Sequence, residues 1–477
     1  MTRRSVVIIG GGISGLCAAY ELSGGAAGPS ADTPRIEVIE AAERWGGSLT
    51  TTSFAGRTID LGADGFLGRR PEAVALAHDL GLGDELEPIA ASGASIYLNG
   101  ALDPLPAGMV LGVPTSTASL KVMAHLPARG RREAWRDAHF PRRWRAGEDA
   151  TIGEILRRKF GPTLTYQLIE PMIGGIQAGR VDDLSAKSVF PALLTAAQKK
   201  GSLMKNISGA PAAMPGPTAL AAAAGPAFYS LRHGVGSLVS TLTATLAERG
   251  VVLRSGTAVT MLRRTPTSIY PWEIDTAFTS TPAHAVICAT PVAVTGALTG
   301  AFHSDLAALV AVPSAGAAMV TLQLSSSITL PAGTGILVPL QTPFGGDTLM
   351  TTAVTFLDRK WAHLQRGEDQ VVRIHVGRSD DSRWQHMTDV ELTSRVVAEL
   401  SEILREVITP IDSLVQRWPN GLPQYRVGHD EIVQRALVAA EESGLALCGN
   451  AFDGVGVPAT IANGRRVGRS VLERVAN

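Results

Sequence analysis

Three cysteines, Cys17, Cys288 and Cys448, are scattered through 477 residues within predicted helix or strand. They offer neither a disulfide framework nor a metal-ligand pair, and they read as small buried apolar residues of a protein kept in a reducing compartment. The ten histidines form no H-x-x-x-H group, so no metal centre is expected. Net charge is absent as well. Lysine plus arginine number 43 and aspartate plus glutamate 43, which leaves nothing to drive general nucleic-acid binding. No apolar run reaches the ~18 residues of a spanning helix, and the chain enters a strand almost at once, so neither a signal peptide nor a membrane span is expected. No Ser/His/Asp or Cys/His constellation stands out, as expected where a bound cofactor carries the chemistry.

What is there begins at Val6-Val7-Ile8-Ile9-Gly10-Gly11-Gly12-Ile13-Ser14-Gly15. An apolar strand turns sharply into a helix opened by Ile13 and Ser14. Gly10, Gly12 and Gly15 supply the tight turn, the close approach to a pyrophosphate and the packing of helix on strand. Amides of the helix N-terminus then face the phosphates. Glu40 ends the next apolar run, Ile36-Glu37-Val38-Ile39, where it can accept hydrogen bonds from ribose hydroxyls. Its charge argues against a 2'-phosphate, hence against NADP. The stretch from Gly24 to Pro34 reads as an enlarged loop that lengthens the usual spacing.

Glu40-Ala41-Ala42-Glu43-Arg44-Trp45-Gly46-Gly47 has the form E-x-x-x-R-x-G-G, with an arginine beside the phosphates and paired glycines that admit the cofactor. This extension resembles that of two-domain flavoproteins of the amine oxidase type, which makes FAD the expected cofactor. Near the other end, Gly449 and the segment Gly454-Val455-Gly456-Val457-Pro458 lie between a strand and a helix expected from about Ala459 to Val475. That second helix N-terminus can meet the flavin; a glycine-rich connection needed only for its geometry is the alternative.

At about three times the usual domain size, the chain has room for several lobes. The expected fold class is α/β: a Rossmann-like FAD-binding lobe, a mixed α+β substrate lobe and a helical subdomain. The FAD lobe would be discontinuous, comprising 1–68, 228–290 and 444–477, with 69–117 and 291–443 forming the substrate lobe. The helical subdomain would span 118–227 and end in an Ala/Pro/Gly-rich mobile loop near 207–228. Between Lys121 and Arg145, eight basic residues (Lys121, Arg129, Arg131, Arg132, Arg136, Arg142, Arg143, Arg145) face two acids, Glu133 and Asp137. A solvated helix face, an anionic-lipid or partner surface, and a rim attracting a polycarboxylate all fit this excess.

Several segments together resemble the oxygen-dependent porphyrinogen oxidases, most of all the Gram-positive form. They are Asp60-Leu61-Gly62-Ala63-Asp64-Gly65-Phe66-Leu67, Leu105-Pro106-Ala107-Gly108, the run from Leu168 to Gly179 (LIEPMIGGIQAG), Arg417-Trp418, Leu422 to His429 (LPQYRVGH), and the C-terminal G-V-G-V-P. Two departures stand out: Gln177 replaces a usual Tyr, and Ala459-Thr460 replaces a common Asp-Cys. The resemblance implies FAD-dependent oxidation of coproporphyrinogen III, or alternatively of protoporphyrinogen IX. Six electrons leave in three two-electron hydride transfers, and oxygen is reduced to hydrogen peroxide. More distant alternatives are an amine or polyene oxidase of the same fold, or a flavin-bound tetrapyrrole carrier.

The resemblance implies a cytoplasmic protein, with peripheral attachment to the inner face of the membrane as a variant, and a ferrochelatase or membrane surface as a further partner. It adds Gly62, Ala63, Asp64, Val259, Trp418, Gly449, Val455, Gly456 and Val457 to the expected flavin contacts. Because flavin and macrocycle are flat and apolar, Gly175, Ile176, Gln177, Leu337 and Phe356 are expected to line the substrate pocket. Propionates call for arginine or lysine. Arg70 and Arg69 are the leading candidates, followed by Arg180 and Lys187.

Overall fold

The structure is a computed structural model that describes residues 3–144, 149–208 and 226–476. Val6, Ile8, Ile36 and Val38 point to one side of the first two strands and Val7, Ile9 and Ile39 to the other, all buried. Strands apolar on both faces belong in a parallel sheet covered from two sides. That sheet has five strands, in the order Val252–Arg254, Arg35–Ile39, Ser5–Ile9, Ala285–Cys288, Leu445–Leu447, every pairing parallel. It draws its strands from three separated stretches of chain. Helices Ile13–Leu22, Gly236–Glu248 and Val457–Ala476 cover one face. The other face packs on helix His429–Glu442 and the small sheet carrying Trp272 and Ile274.

A second sheet has seven strands in the order Asp412–Pro423, Ser314–Leu324, Gln370–Val376, Thr351–Phe356, Gly335–Leu337, Ser95–Leu98, Ala101–Pro104. Alternation gives it two unlike faces. Val320, Leu322, Val372, Ile374, Val354 and Phe356 pack against Leu392, Val396 and Leu400 of helix Asp389–Leu404. The opposite face carries Ala317, Met319, Ala353, Thr355, His375 and Leu337, all half-buried. A helical cluster built from Ala128–His139, Ile152–Lys159, Glu170–Gln177, Pro191–Gln198 and Leu203–Ser208 packs against Leu337 and so closes one end of that face.

Three local expectations need correcting or bounding. Gly174, Gly175 and Gly179 in the G-G-I-Q-A-G segment suit either a loop lying close against a flat ligand or the end of one helix at Pro171 and the start of the next; the structure is helical over Glu170–Gln177. Pro171 follows directly on a π-helical turn, Thr165–Ile169, so the missing N–H falls within a continuous helical run, and the helix ends at Ala178 with φ +47°. The C-terminal helix starts at Val457, two residues earlier than expected. The Ala/Pro/Gly-rich stretch expected as a mobile loop falls mainly on 209–225, outside the described residues, as does Arg145 of the basic region.

Candidate active site

The three glycine turns meet at the carboxyl ends of the parallel strands, where open α/β sheets bind ligands. A Cβ on Gly10, whose φ is +106°, would press on the Ala289 carbonyl, and one on Gly15 would collide with the Gly10 carbonyl. At Gly12 a Cβ would meet nothing within 4 Å. The first two glycines are therefore demanded by the fold, whereas Gly12 leaves space beside the helix N-terminus where a pyrophosphate can approach.

Gly46 (φ +92°) donates its N–H to the Gly11 carbonyl at 2.8 Å, which ties the E-x-x-x-R-x-G-G turn to the first one. Glu40 accepts from the amides of Gly11 at 2.6 Å and Ala42 at 2.8 Å. Each oxygen of a carboxylate has more than one acceptor position, so Glu40 is fixed in place with capacity left for ribose hydroxyls. Thr257 donates to the Glu40 carbonyl at 2.8 Å, which brings Val259, two residues on, to the same edge.

The last helix completes this cradle by lying against the first. A Cβ on Gly464 would collide with the Ser14 carbonyl oxygen, and one on Gly468 would crowd the Ala18 backbone. Ser14 Oγ also donates to the Thr460 carbonyl at 3.0 Å. Contact this close sets the N-termini of both helices side by side, with Val455 half-buried and Gly456 exposed at the mouth. Gly449, at φ +141°, donates to Asn463 Oδ1 at 2.8 Å. Glycine turns, paired helix dipoles and a fixed acid together fit the ADP half of FAD.

The segment Asp60 to Asp64 joins this cradle to the seven-stranded sheet. Trp418 Nε1 donates to the Leu61 carbonyl at 3.0 Å, and Arg44 lies over the Trp418 ring at 5.2 Å. A Cβ at Gly62 would strike the Ser48 carbonyl, so the turn is pressed against the first lobe, with Ala63 half-buried beside it. Arg373, fully buried on the sheet, donates to the Asp60 carbonyl. Asp64 pairs with Lys360 at 2.9 Å and accepts from Trp361 Nε1 at 3.3 Å. Burial would raise the Asp64 pKa, but Lys360 and Arg373 outweigh it and hold the carboxyl below the usual range. Burial raises Asp60 to about 7, only partly offset by the Val235 amide.

One position along from Arg373 on the half-buried sheet face, His375 Nε2 lies 3.1 Å from Thr355 Oγ1. Burial, and then the Arg373 charge, depress its pKa to about 3, so the imidazole is neutral at ordinary pH. Sequence reasoning did not single out Lys360, Arg373 or His375. The alternation in Val372-Arg373-Ile374-His375-Val376, polar on one side and branched on the other, was the available signal for Arg373 and His375.

The expected propionate anchors divide sharply. Arg70 is exposed and paired with Glu72 at 2.9 Å, whereas half-buried Arg69 has no carboxylate partner among the described residues. Arg180, expected as an anchor, is instead surrounded by Glu170 at 3.6 Å, Asp182 at 3.3 Å and Asp380 at 3.5 Å. Lys187 pairs with Asp430 at 3.2 Å. Phe356, expected to line the pocket, is sealed in the core behind the sheet because it shares the inward face with Val354. Leu337, on the outward face, and Ile176 both contact the helical cluster. Gly175 is exposed and a Cβ there would meet nothing within 4 Å. Gln177 is buried, with its carbonyl accepting from Gln424 Nε2 at 2.8 Å.

The flavin containing amine oxidoreductase profile matches residues 13–472. A coproporphyrinogen III oxidase of Mycobacterium leprae is 31% identical over the full length of both chains. One from Bacillus subtilis is 30% identical over 97% of each. Among solved structures, a protein of Exiguobacterium sp. 255-15 ascribed protoporphyrinogen oxidase activity superposes with a TM-score of 0.86 at 30% identity, covering 99% of this chain and 100% of that one. Among the described residues no cluster of metal-ligating side chains and no helix long and apolar enough to cross a membrane occurs. The chain belongs to the flavin-containing amine oxidoreductase family, and its cofactor is FAD.

Proposed function

We propose that this protein oxidises coproporphyrinogen III to coproporphyrin III, using molecular oxygen as the final acceptor. The observation that carries this reading is the half-buried face of Ala317, Met319, Leu337, Ala353 and Thr355, joined to the dinucleotide cradle through Trp418 and the Asp60 to Asp64 turn. It is flat, largely uncharged and adjacent to the cofactor, as an apolar macrocycle requires. Full-length similarity to coproporphyrinogen III oxidases supports it.

When bound, FAD supplies the redox chemistry, taking a hydride in each of three rounds and passing the electrons to oxygen as hydrogen peroxide. The chain's own residues position and exclude. Leu337 and Ile176 keep water from one end of the face, while neutral His375 and Thr355 offer a polar pair without a charge that would repel or trap the macrocycle. Arg69 has its guanidinium free for a propionate, the bidentate partner it suits best. In this reading 1–68, 228–290 and 444–477 act as the FAD lobe, 69–117 and 291–443 hold substrate, and 118–227 is the helical subdomain. The enzyme works in the cytoplasm and hands its product to a ferrochelatase; the free, buried Cys17, Cys288 and Cys448 suit a reducing compartment.

Coproporphyrinogen is favoured over protoporphyrinogen because it carries four propionates against two. Each additional exposed pair contributes only ~0.2–1 kcal/mol, so the preference is graded. Catalytic efficiencies for both porphyrinogens under identical detergent and salt test it. A higher kcat/KM for coproporphyrinogen III supports the reading, and a ratio favouring protoporphyrinogen overturns the substrate choice.

A further inference from the structure

The basic helix Ala128–His139 forms one wall of a surface cavity of about 560 Å³. Its lining shares no residue with the glycine cradle or the half-buried sheet face. Arg129, Arg132, Arg136, Arg142 and Arg157 line it together with Trp135, Gly161 and Pro162. That volume falls within the ~300–1,000 Å³ typical of small-ligand sites.

The charges around the cavity are unevenly compensated. Glu133, the acid in the lining, is committed inward: it accepts from the Leu164 amide at 2.8 Å and pairs with Arg129 at 3.3 Å. Arg157 is bound to Asp182 and donates to the Tyr166 hydroxyl at 2.8 Å. Arg136 donates to the Phe160 carbonyl while its Nε is buried without a partner. Arg132 and Arg142 are exposed and have no carboxylate among the described residues. Beside them Trp135, 51% exposed, stacks on His139 with ring centroids 4.6 Å apart, and exposed Phe140 tilts against it at 5.7 Å. Contiguous exposed aromatics, unlike single ones, mark interaction or ligand sites.

Uncompensated guanidinium groups around a flat aromatic face select a particular chemistry: several carboxylates on a planar ring system, paired through the arginines and stacked on the indole. A membrane would also meet arginine and tryptophan, but it requires a convex ridge able to enter the headgroups, and here the guanidiniums rim a concavity. We propose that this cavity is a second binding site, separate from the catalytic pocket, for a planar aromatic polycarboxylate of the product's class. The ligand's identity as a porphyrin rests on the function proposed above.

Coproporphyrin III bound to FAD-loaded protein is counted by equilibrium dialysis, and the R132E/R142E variant is compared with wild type. The variant should bind one porphyrin fewer per chain, the lost site weakening at least tenfold, with flavin content, melting temperature and turnover unchanged. W135A should weaken the same site, losing the quenching of tryptophan fluorescence that accompanies binding. Equal counts in wild type and variant overturn the proposal. So does sedimentation with phosphatidylglycerol vesicles, absent with phosphatidylcholine and lost in R132E/R142E, while the porphyrin count stays the same; the patch is then a membrane surface. Failure of the protein to oxidise coproporphyrinogen overturns the function and leaves this difference in counts to be judged separately.

Discussion

Glu40 sits where one side chain decides between nucleotides. Both its oxygens hold loop amides, so it organises the turn as well as offering acceptors to a ribose. Glu40→Arg removes those acceptors and reverses the charge. Losing a charged hydrogen-bond partner costs about 1.5–3 kcal/mol, or about 10- to 150-fold in FAD affinity. Titration of the apoprotein with FAD checks this, and a variant that purifies with stoichiometric flavin contradicts it. Arg69 and Arg70 are neighbours with different circumstances, because Glu72 occupies Arg70. Arg69→Ala should therefore raise KM for coproporphyrinogen more than Arg70→Ala, by about 1.4- to 5-fold, with kcat and flavin content unchanged. Steady-state kinetics of the two variants decide the order. The position of both arginines after the segment from Asp60 to Leu67 makes them candidates, and only the fold shows that Glu72 claims Arg70.

Helix packing explains two glycines that look alike in the sequence and differ in the fold. Gly464 is pressed against the Ser14 backbone, so Gly464→Val must separate the first and last helices. Overpacking of this kind costs about 1–3 kcal/mol, and here it also spreads the paired N-termini that face the phosphates. A lower melting temperature and flavin lost on gel filtration are the expected outcome. Gly175 has open space instead, and it lies in a helix where alanine is better by up to ~1 kcal/mol. Gly175→Ala should leave melting unchanged or higher while raising KM, which separates a ligand's demand for glycine from the fold's.

At this scale the strand-turn-helix at Gly10 and the strand leading to Glu40 were legible because a buried parallel strand must be apolar on both faces. The helix at Glu170–Gln177 was not, because Gly174, Gly175 and Pro171 disfavour it locally, and burial of Ile173 in the helical cluster supports it. Sorting the anchors needed the fold too. Glu170, Asp182 and Asp380 come from different elements, and nothing in their spacing shows that they converge on Arg180.

Across the whole molecule, buried ionisable groups set how stability responds to pH. Burial raises Glu170 to about 7 from 4.5, with Arg180 offsetting only part of the cost. Between those values the unfolded chain has released the proton and the folded chain has kept it. Each rise in pH across that window favours unfolding, and the full penalty persists above about 7. His375 works in the opposite sense: its folded pKa lies near 3 against 6.5, so acidification below 6.5 favours the unfolded state. Glu170→Gln should melt above wild type at pH 8, the gap closing as pH falls from about 7 to about 4.5. Thermal denaturation across that range tests it; a gap that is constant, or that widens on acidification, contradicts the assignment.

In the whole molecule a glycine cradle for FAD adjoins a flat, nearly uncharged sheet face suited to a porphyrinogen. Anaerobic mixing of the FAD-loaded protein with coproporphyrinogen III, followed in the visible and by porphyrin fluorescence, examines both parts at once. The flavin absorbance should bleach within turnover time and return on admitting oxygen, with coproporphyrin III fluorescence accumulating. A flavin spectrum unchanged by saturating coproporphyrinogen III would contradict the account and leave a flavoprotein whose sheet face serves some other ligand.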